Sequence, residues 1–262
     1  MSQFETVLFE TSADHVATIT LNRPHRMNAF NATMMQEFKR LWRHIQDTDS
    51  IHTVVLRAAE GRAFCTGVDV HEGRGPEPEN VWSQEDPAIY LSPKMNACWK
   101  PVITAVHGMA AGGAFYFLNE SDIVICSEDA TFFDPHVTYG MTSALEPIGM
   151  TYRQMLGDVL RMVLLGNDER IGARSALQKG IVSEVVSLAD LWPRAHALAA
   201  QIAAKPSAAT QGSVRAIWES LDLPRTTALR TGLKYCQLGN PIGIPQVDRA
   251  AVMGTAKKFE VI

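Results

Sequence analysis

Lys100-Pro-Val-Ile-Thr-Ala-Val-His-Gly-Met-Ala-Ala-Gly-Gly-Ala-Phe115 is the stretch that decides the fold. Its β-branched first half predicts a buried strand over Val102–Val106, and its apolar second half predicts a helix. Gly108, Gly112 and Gly113 carry no Cβ, so the backbone between these elements can turn tightly and lie against a ligand. N–H groups at the start of a helix attract negative charge. The stretch therefore predicts half of an oxyanion hole, a pair of N–H donors that stabilises a developing negative charge.

A second segment, nearer the N-terminus, has the same design. Thr53–Ala58 reads as a buried strand, and Gly61 and then Ala63-Phe-Cys-Thr-Gly-Val-Asp-Val70 follow it. Small residues again come directly after a strand, so this turn can supply the other N–H donor. The alternative is that the glycines of both segments only allow close packing of a helix against a strand.

The flanking sequence predicts an α/β fold. Two β-rich runs, 7–10 and 15–21, are separated by a polar turn and predict a hairpin. Asn31 is an expected N-cap for an amphipathic helix over Ala32–Asp47, and the strand Thr53–Ala58 comes next. Strand, helix and strand in this order indicate a parallel sheet covered by helices.

The rest of the chain reads as one more strand, one loop and several helices. The segment 71–80 is rich in Gly, Pro and Glu and predicts a mobile loop that could gate a substrate. A strand is expected over 122–126. Helices are expected over 90–99, 111–119, 173–179, 188–204, Ser207–Ser220 and 226–238.

Composition excludes several classes of function. The chain has 262 residues, of which 46% are hydrophobic and 20% charged, as in a globular protein with one large domain. Its net charge of -4 gives no concentrated positive field, so we expect neither a nucleic-acid nor a membrane partner. The N-terminus lacks a basic segment followed by an apolar core, so we expect no signal peptide. We therefore expect a cytoplasmic location.

The four cysteines predict neither a metal site nor a disulfide framework. Cys65, Cys98, Cys126 and Cys236 are widely scattered in apolar or small-residue settings, which favours buried, reduced thiols. Cys65 lies beside the proposed oxyanion loop, but a nucleophile would need an electropositive setting and a nearby base. No metal is therefore predicted.

The two glycine-containing segments together, GRAFCTGVDV and KPVITAVHGMAAGGAF, resemble the paired signatures of the crotonase (enoyl-CoA hydratase/isomerase) superfamily. The resemblance runs from LNRPHRMNAF to GNDERIGARSALQKGIVSEVV. It implies a spiral of ββα units over 1–195 and a helical region over 196–262 that packs trimers, often paired as hexamers. It also implies an acyl-CoA substrate and no separate cofactor, because CoA is part of the substrate.

The resemblance assigns roles to individual residues. The N–H groups of Val68 and Gly113 would form the oxyanion hole. Arg26 would lie near the CoA phosphates, although a surface arginine is usually a solvated charge. Thr66 and Asp69 lie on the loop that lines the adenine pocket in family members.

The sequence departs from the hydratases of this superfamily at two positions. Tyr116 and His136 stand where hydratases carry the glutamates that position and activate water. With a reference pKa of about 6.5, His136 suits general acid-base work, and Glu146 or Asp134 could orient it. Glu146 could equally serve as a first-turn helix residue. Isomerisation, hydrolysis, cleavage of a β-diketone or a non-catalytic CoA-binding role all stay open.

Overall fold

The computed structural model describes residues 4–73, 80, 82, 85–254 and 261. Its strands form a six-stranded sheet in the order β1-β2-β3-β5-β7-β10 and a four-stranded sheet in the order β4-β6-β8-β9. The strands are β1 (Val7–Thr11), β2 (Val16–Leu21), β3 (Thr53–Ala58), β4 (Ala63–Cys65), β5 (Val102–Val106), β6 (Met109–Ala111), β7 (Ile123–Ser127), β8 (Thr131–Phe133), β9 (Ile171–Gly172) and β10 (Glu184–Val186).

The helices lie mostly in the second half of the chain. They are α1 (Ala32–Asp47), α2 (Phe115–Asn119), α3 (Leu145–Met150), α4 (Leu156–Leu165), α5 (Ala173–Gln178), α6 (Leu188–Ala203), α7 (Ser207–Ser220), α8 (Arg225–Gly243) and α9 (Arg249–Gly254). Short 3-10 turns are found at Pro24–Arg26, Pro87–Leu91, Gly112–Ala114, His136–Tyr139, Gly166–Asp168 and Ile244–Gln246.

The larger sheet confirms the α/β prediction. β1 and β2 form the predicted antiparallel hairpin, and every other neighbouring pair in this sheet is parallel. Successive side chains of a strand point to opposite faces, so Val54 packs in the core that contains α1 while Val55 packs beneath α6. Helices therefore cover both faces, as parallel sheets require.

Helix α1 forms as its sequence predicts. The side chain of Asn31 caps it by accepting a hydrogen bond of 3.0 Å from the Met34 N–H. One apolar stripe of the helix is buried, and each large side chain in it contributes about 1.5–3 kcal/mol of hydrophobic free energy. The buried apolar residues are Met34, Met35, Phe38, Leu41, Trp42 and Ile45.

The helix predicted over 90–99 is wrong. The structure has the 3-10 turn Pro87–Leu91, and Ser92 after it is extended, with ψ of 122°. Ser92 precedes Pro93, whose ring disfavours helical backbone in the residue before it. Ala97 adopts a φ of 55°, which ends any regular helix in this segment.

The sequence did not predict the smaller sheet. One of its strands ends inside the region 111–119, where a single helix was expected. That region divides into the end of β6, the 3-10 turn Gly112–Ala114 and α2. Strands β4, β6 and β8 are parallel to one another, whereas β9 is antiparallel to β8. With two or three residues each, these strands are too short to carry an alternating pattern.

The chain divides into two compact units, Met1–Ala203 and Ala204–Ile262. The boundary predicted at 195/196 falls inside α6. In the second unit α7 and α8 pack against each other, and Arg215 on α7 pairs with Glu219 at 2.7 Å. Within the described residues, no helix combines the length and the apolar composition needed to cross a bilayer.

Candidate active site

The smaller sheet brings the loops of interest to one end of its strands. Because β4, β6 and β8 are parallel, the segments that follow them, carrying Val68, Gly113 and His136, leave from the same end. β9 is antiparallel to β8, so Arg170 just before it lies at that end too. All four residues line one cavity of about 980 Å³.

The two glycine loops converge closely. A Cβ atom added to Gly67 would lie 3.1 Å from the Gly113 nitrogen, and one added to Gly113 would lie 2.5 Å from Phe30 Cε1. Only glycine fits this approach. In the described part of the chain, neither the Val68 nor the Gly113 N–H donates a hydrogen bond to another protein group. Both predicted oxyanion donors therefore border the cavity with their hydrogen-bonding capacity unused.

His136 lies beside these loops, and Asp134 orients it. His136 Nδ1 is 2.5 Å from Asp134 Oδ1, and the His136 backbone N–H donates to the same oxygen at 3.0 Å. The other carboxylate oxygen accepts a 2.6 Å hydrogen bond from Ser143 Oγ. A Cβ on Gly112 would lie 3.4 Å from His136 Cε1, which puts the imidazole against the second glycine loop.

The pKa of Asp134 is lowered. Full burial alone would raise this pKa, but the hydrogen bonds from His136 and Ser143 outweigh it. An ionised carboxylate only accepts hydrogen bonds, so His136 carries its proton on Nδ1. In the neutral form of the imidazole, Nε2 is therefore the unprotonated nitrogen.

Glu146 lies on the opposite side of the imidazole from Asp134. Its Oε1 is 3.9 Å from His136 Nε2, and it occupies the first turn of α3. Burial raises the pKa of Glu146, and the negative charges of Asp134 and Asp86 act in the same direction. Glu146 therefore lies both in the first turn of a helix and near the imidazole, while the hydrogen bond to the imidazole comes from Asp134.

The predicted CoA-binding residues differ in their surroundings. Arg26 is exposed and Thr66 half-buried, and both line the cavity. Asp69 also lines it, but its Oδ2 is 3.0 Å from a guanidinium nitrogen of buried Arg23. Its Oδ1 accepts a 2.9 Å hydrogen bond from the His71 N–H. The Asp69 carboxylate thus holds its own loop in shape.

The pKa of Asp69 is lowered. Burial alone would raise this pKa, but the hydrogen bond from the His71 N–H and the interaction with Arg23 more than offset the effect of burial. The predicted loop over 71–80 lies largely outside the described residues.

Several residues of the site carry no sequence signal that identifies them. Ser143 donates to Asp134, nine residues away, and Arg23 pairs with Asp69 and with Glu72, which is 49 residues away. The hydroxyl of Tyr116 donates a hydrogen bond to the Asp86 carboxylate. These two residues are 30 positions apart, so the sequence alone does not predict this contact either.

The cysteine interpretation holds at three positions. Cys65, Cys98 and Cys126 are buried, and burial raises their pKa to about 12, about 11 and about 12. At neutral pH Cys65 is therefore a thiol and a poor nucleophile. Cys236 is exposed, so the prediction that all four are buried is wrong there, because Cys236 lies on α8, most of which is exposed in this unit.

The architecture defines an α/β enzyme of the crotonase fold. Residues 11–236 match the family model for enoyl-CoA hydratase/isomerase, and the chain belongs to this family. No group of three or more His, Cys, Asp or Glu side chains suited to a metal ion is found in the described residues.

Named relatives agree with this assignment. A short-chain-enoyl-CoA hydratase from Clostridium acetobutylicum is 29% identical over 82% of each chain. An (E)-benzylidenesuccinyl-CoA hydratase from Thauera aromatica is 30% identical over 86% of each chain. The crystal structure of an enoyl-CoA hydratase/isomerase from Mycobacterium paratuberculosis superposes with a TM-score of 0.83 at 32% identity, covering 95% of this chain and 94% of that one.

Proposed function

We propose that this protein moves a proton on the acyl group of an acyl-CoA thioester, with His136 as the base. The observation that carries the proposal is the imidazole held by Asp134 at 2.5 Å beside two glycine loops that line the same cavity. The Val68 and Gly113 amides would bind the thioester carbonyl oxygen. Each such donor typically stabilises a developing oxyanion by about 3 kcal/mol.

The proposed step uses the unprotonated Nε2 of His136. It takes a proton from the carbon next to the thioester carbonyl, and the electron pair moves onto the carbonyl oxygen as an enolate. The ionised Asp134 stabilises the imidazolium that results, and the proton then returns to the same or another carbon. Glu146, whose pKa is raised by burial, suits the donation of a proton to the substrate.

CoA itself would lie along the loops that follow β2 and β4. Arg26 is a cation at the cavity wall, where a phosphate could bind it, and Thr66 offers a hydroxyl. For Asp69 we propose an indirect role, since its carboxylate is paired with Arg23 and shapes the loop next to Val68.

Efficient hydration of simple enoyl-CoA substrates is not the activity that we propose. Hydratases of the superfamily use two glutamates, and this chain has Tyr116 and His136 at those positions. Tyrosine has an ordinary pKa of about 10 and is a poor base at neutral pH. Slow hydration of crotonyl-CoA is therefore expected, and turnover as fast as that of ordinary hydratases would contradict the proposal.

A second candidate reaction is hydrolysis, favoured by the Asp134–His136 pair. Such a pair can take a proton from water, whose oxygen then bonds to the substrate carbonyl carbon. In a thioester, the bond from that carbon to sulfur then breaks, and the imidazolium returns the proton to the leaving thiolate. In a β-keto compound, the bond from the attacked keto carbon to the carbon between the two carbonyls breaks, and that carbon receives the proton. The same two amides would stabilise the tetrahedral oxyanion.

The test is deuterium exchange at the carbon next to the carbonyl, followed by NMR for butyryl-CoA and acetoacetyl-CoA in D2O. Wild-type protein should exchange these protons, and the His136→Gln variant should lose at least about 100-fold of the exchange rate while still binding CoA. Asp134→Asn should lower the rate and shift its acid limb to lower pH, because the carboxylate no longer favours the imidazolium. His44→Gln, at an exposed position, is the control.

Each outcome separates the candidates. Release of free CoA or acetate, dependent on His136, would favour hydrolysis over proton transfer. CoA binding with neither exchange nor product would favour a non-catalytic scaffold. An exchange rate that stays flat between pH 5 and 8, with chemistry limiting, would contradict a histidine base.

A further inference from the structure

Arg170 also lines the cavity, and the proposed reaction gives it no role. It precedes β9, and the antiparallel register that pairs Thr131 with Gly172 and Phe132 with Ile171 sets it opposite Phe133. Its guanidinium carbon lies 4.2 Å from the centre of the Phe133 ring. Phe133 is 6% exposed, so its buried ring holds the cation at this end of β8.

The charge of Arg170 is not neutralised within the described residues. The neighbouring carboxylate, Glu169, is engaged by Arg161 through hydrogen bonds of 2.7 and 2.6 Å. No carboxylate of the described chain lies within ion-pairing distance of Arg170 itself. An arginine that lines a cavity, rests on an aromatic ring and has no acidic partner is suited to bind an anion from solution.

The order of strands indicates which part of a substrate reaches Arg170. β4 and β9 form the two edges of the smaller sheet, with β6 and β8 between them, so they lie about 14 Å apart at ordinary strand spacing. The segment that carries Arg26 joins the β4 edge, where Phe30 pairs with Val68. Arg170 is at the other edge, beyond His136. The two cations therefore flank the reacting centre from opposite sides.

We propose that Arg170 binds a carboxylate on the acyl group, so that the preferred substrates are CoA thioesters of short dicarboxylic acids. This inference rests on the proposed function, in which CoA lies on the Arg26 side. The thioester carbonyl, proposed to bind at the loops after β4 and β6, lies at least two strand spacings, about 10 Å, from β9. The side chain of Arg170 lines the cavity between them, so the acyl group of a short diacid such as a five-carbon one can direct its second carboxylate toward the guanidinium, whose planar shape can bind both oxygens.

The test measures binding by calorimetry with three ligands that undergo no net reaction: CoA, pentanoyl-CoA and glutaryl-CoA. The two thioesters have the same chain length and differ in the terminal carboxylate. Wild-type protein should bind glutaryl-CoA about tenfold more tightly than pentanoyl-CoA. Arg170→Gln should remove this preference, while Arg170→Lys should retain part of it because the charge remains. Arg174→Gln, on α5 and outside the cavity, should leave all three affinities unchanged.

The remaining outcomes overturn the inference in distinguishable ways. Equal binding of pentanoyl-CoA and glutaryl-CoA by wild-type protein would refute the carboxylate site and leave the proposed function intact. An equal loss of affinity for all three ligands in Arg170→Gln would reassign Arg170 to a CoA phosphate. Failure of wild-type protein to bind any of the three would refute both proposals. A thermal melt of each variant verifies that it is folded.

Discussion

Two carboxyl groups whose pKa values shift in opposite directions lie on either side of the His136 imidazole. Asp134 has a lowered pKa and fixes a proton on Nδ1, whereas Glu146, near Nε2, has a raised pKa. Groups whose environments separate their pKa values in this way can act as distinct acid and base in one site. Of these three residues, His136 lines the cavity, and the two carboxyl groups beside it support the proposed proton transfer.

Glu146 should make the folded state less stable as the pH rises. Its pKa is higher in the folded chain than in the unfolded chain, so folding binds a proton between these two values. The contribution of the protonated form is fully present below the unfolded pKa and is lost as pH rises through the folded pKa. We expect Glu146→Gln to raise Tm by about 2 °C at pH 8 and to change it little at pH 4.

Thermal unfolding followed by circular dichroism at both pH values tests this. Glu128→Gln, an exposed glutamate, is the matched control and should have no pH-dependent effect. A Glu146→Gln variant that is less stable than wild type at pH 8 would mean that the ionised carboxylate is stabilising.

At the residue scale, the sequence predicted the residues whose local pattern is distinctive. The glycine loops around Val68 and Gly113 and the His136 position follow from motifs, and all three line the cavity. Arg170 and Ser143 did not follow, because each acquires its role through a partner brought near by the fold, Phe133 for one and Asp134 for the other. The spacing of residues along the chain does not predict such contacts.

At the element scale, the turn between β5 and β6 determines where the second glycine loop lies. Gly108 adopts a φ of 58°, and a Cβ atom there would lie 2.3 Å from the Arg62 carbonyl oxygen. The same turn joins the two sheets, since β5 belongs to the larger one and β6 to the smaller. Any side chain at this position must displace the backbone that precedes β4.

We expect Gly108→Ala to lower the free energy of unfolding by about 3 kcal/mol or more, since it combines an unfavourable φ with a backbone clash. Gly157→Ala provides the control: it lies in α4 with no atom within 4 Å of an added Cβ. That change should stabilise the helix by about 0.5–1 kcal/mol. Urea unfolding of both variants measures the difference, and similar effects of the two substitutions would contradict the role given to Gly108.

Prediction of elements succeeded where a segment is long and periodic. α1 and the strands β1, β2, β3, β5 and β7 follow from their patterns, because α1 buries a periodic apolar stripe and these strands are runs rich in β-branched residues. The sixth strand of the larger sheet, β10, has only three residues and was not predicted. The smaller sheet escaped prediction because β9 has only two residues and depends on pairing with β8. The site is built on that sheet, so the sequence predicted the loops better than the scaffold that aligns them.

At the scale of the whole molecule, the second unit leaves many large apolar side chains exposed. Ile217 on α7 is 65% exposed, and Leu229, Leu233 and Leu238 on α8 are between 59% and 68% exposed. Exposed apolar side chains in this number are typical of surfaces that pack against another chain. They support our proposal that the protein forms a homo-trimer or a hexamer made of two trimers.

Sedimentation velocity should therefore give the mass of three or six chains of 28.8 kDa. Replacing Leu233 and Leu238 by Glu should shift the distribution toward smaller species, because charges would be buried at the interface. The double variant Lys234→Gln, Arg230→Gln on the same helix is the control, because it changes the net charge by the same two units. A monomer in the wild-type protein at micromolar concentration would refute the proposal.

The antiparallel direction of β9 bears on how substrate choice could be redesigned. Arg170 enters the cavity from the start of its strand, whereas Val68, Gly113 and His136 follow the ends of theirs. A library that varies position 170 would therefore remodel the acyl end, whereas Gly166 and Asn167 contact Thr138 in the turn that carries His136 and should be kept. The reactive groups, anchored on three other strands, would keep their alignment, and new specificities could be selected without rebuilding the catalyst.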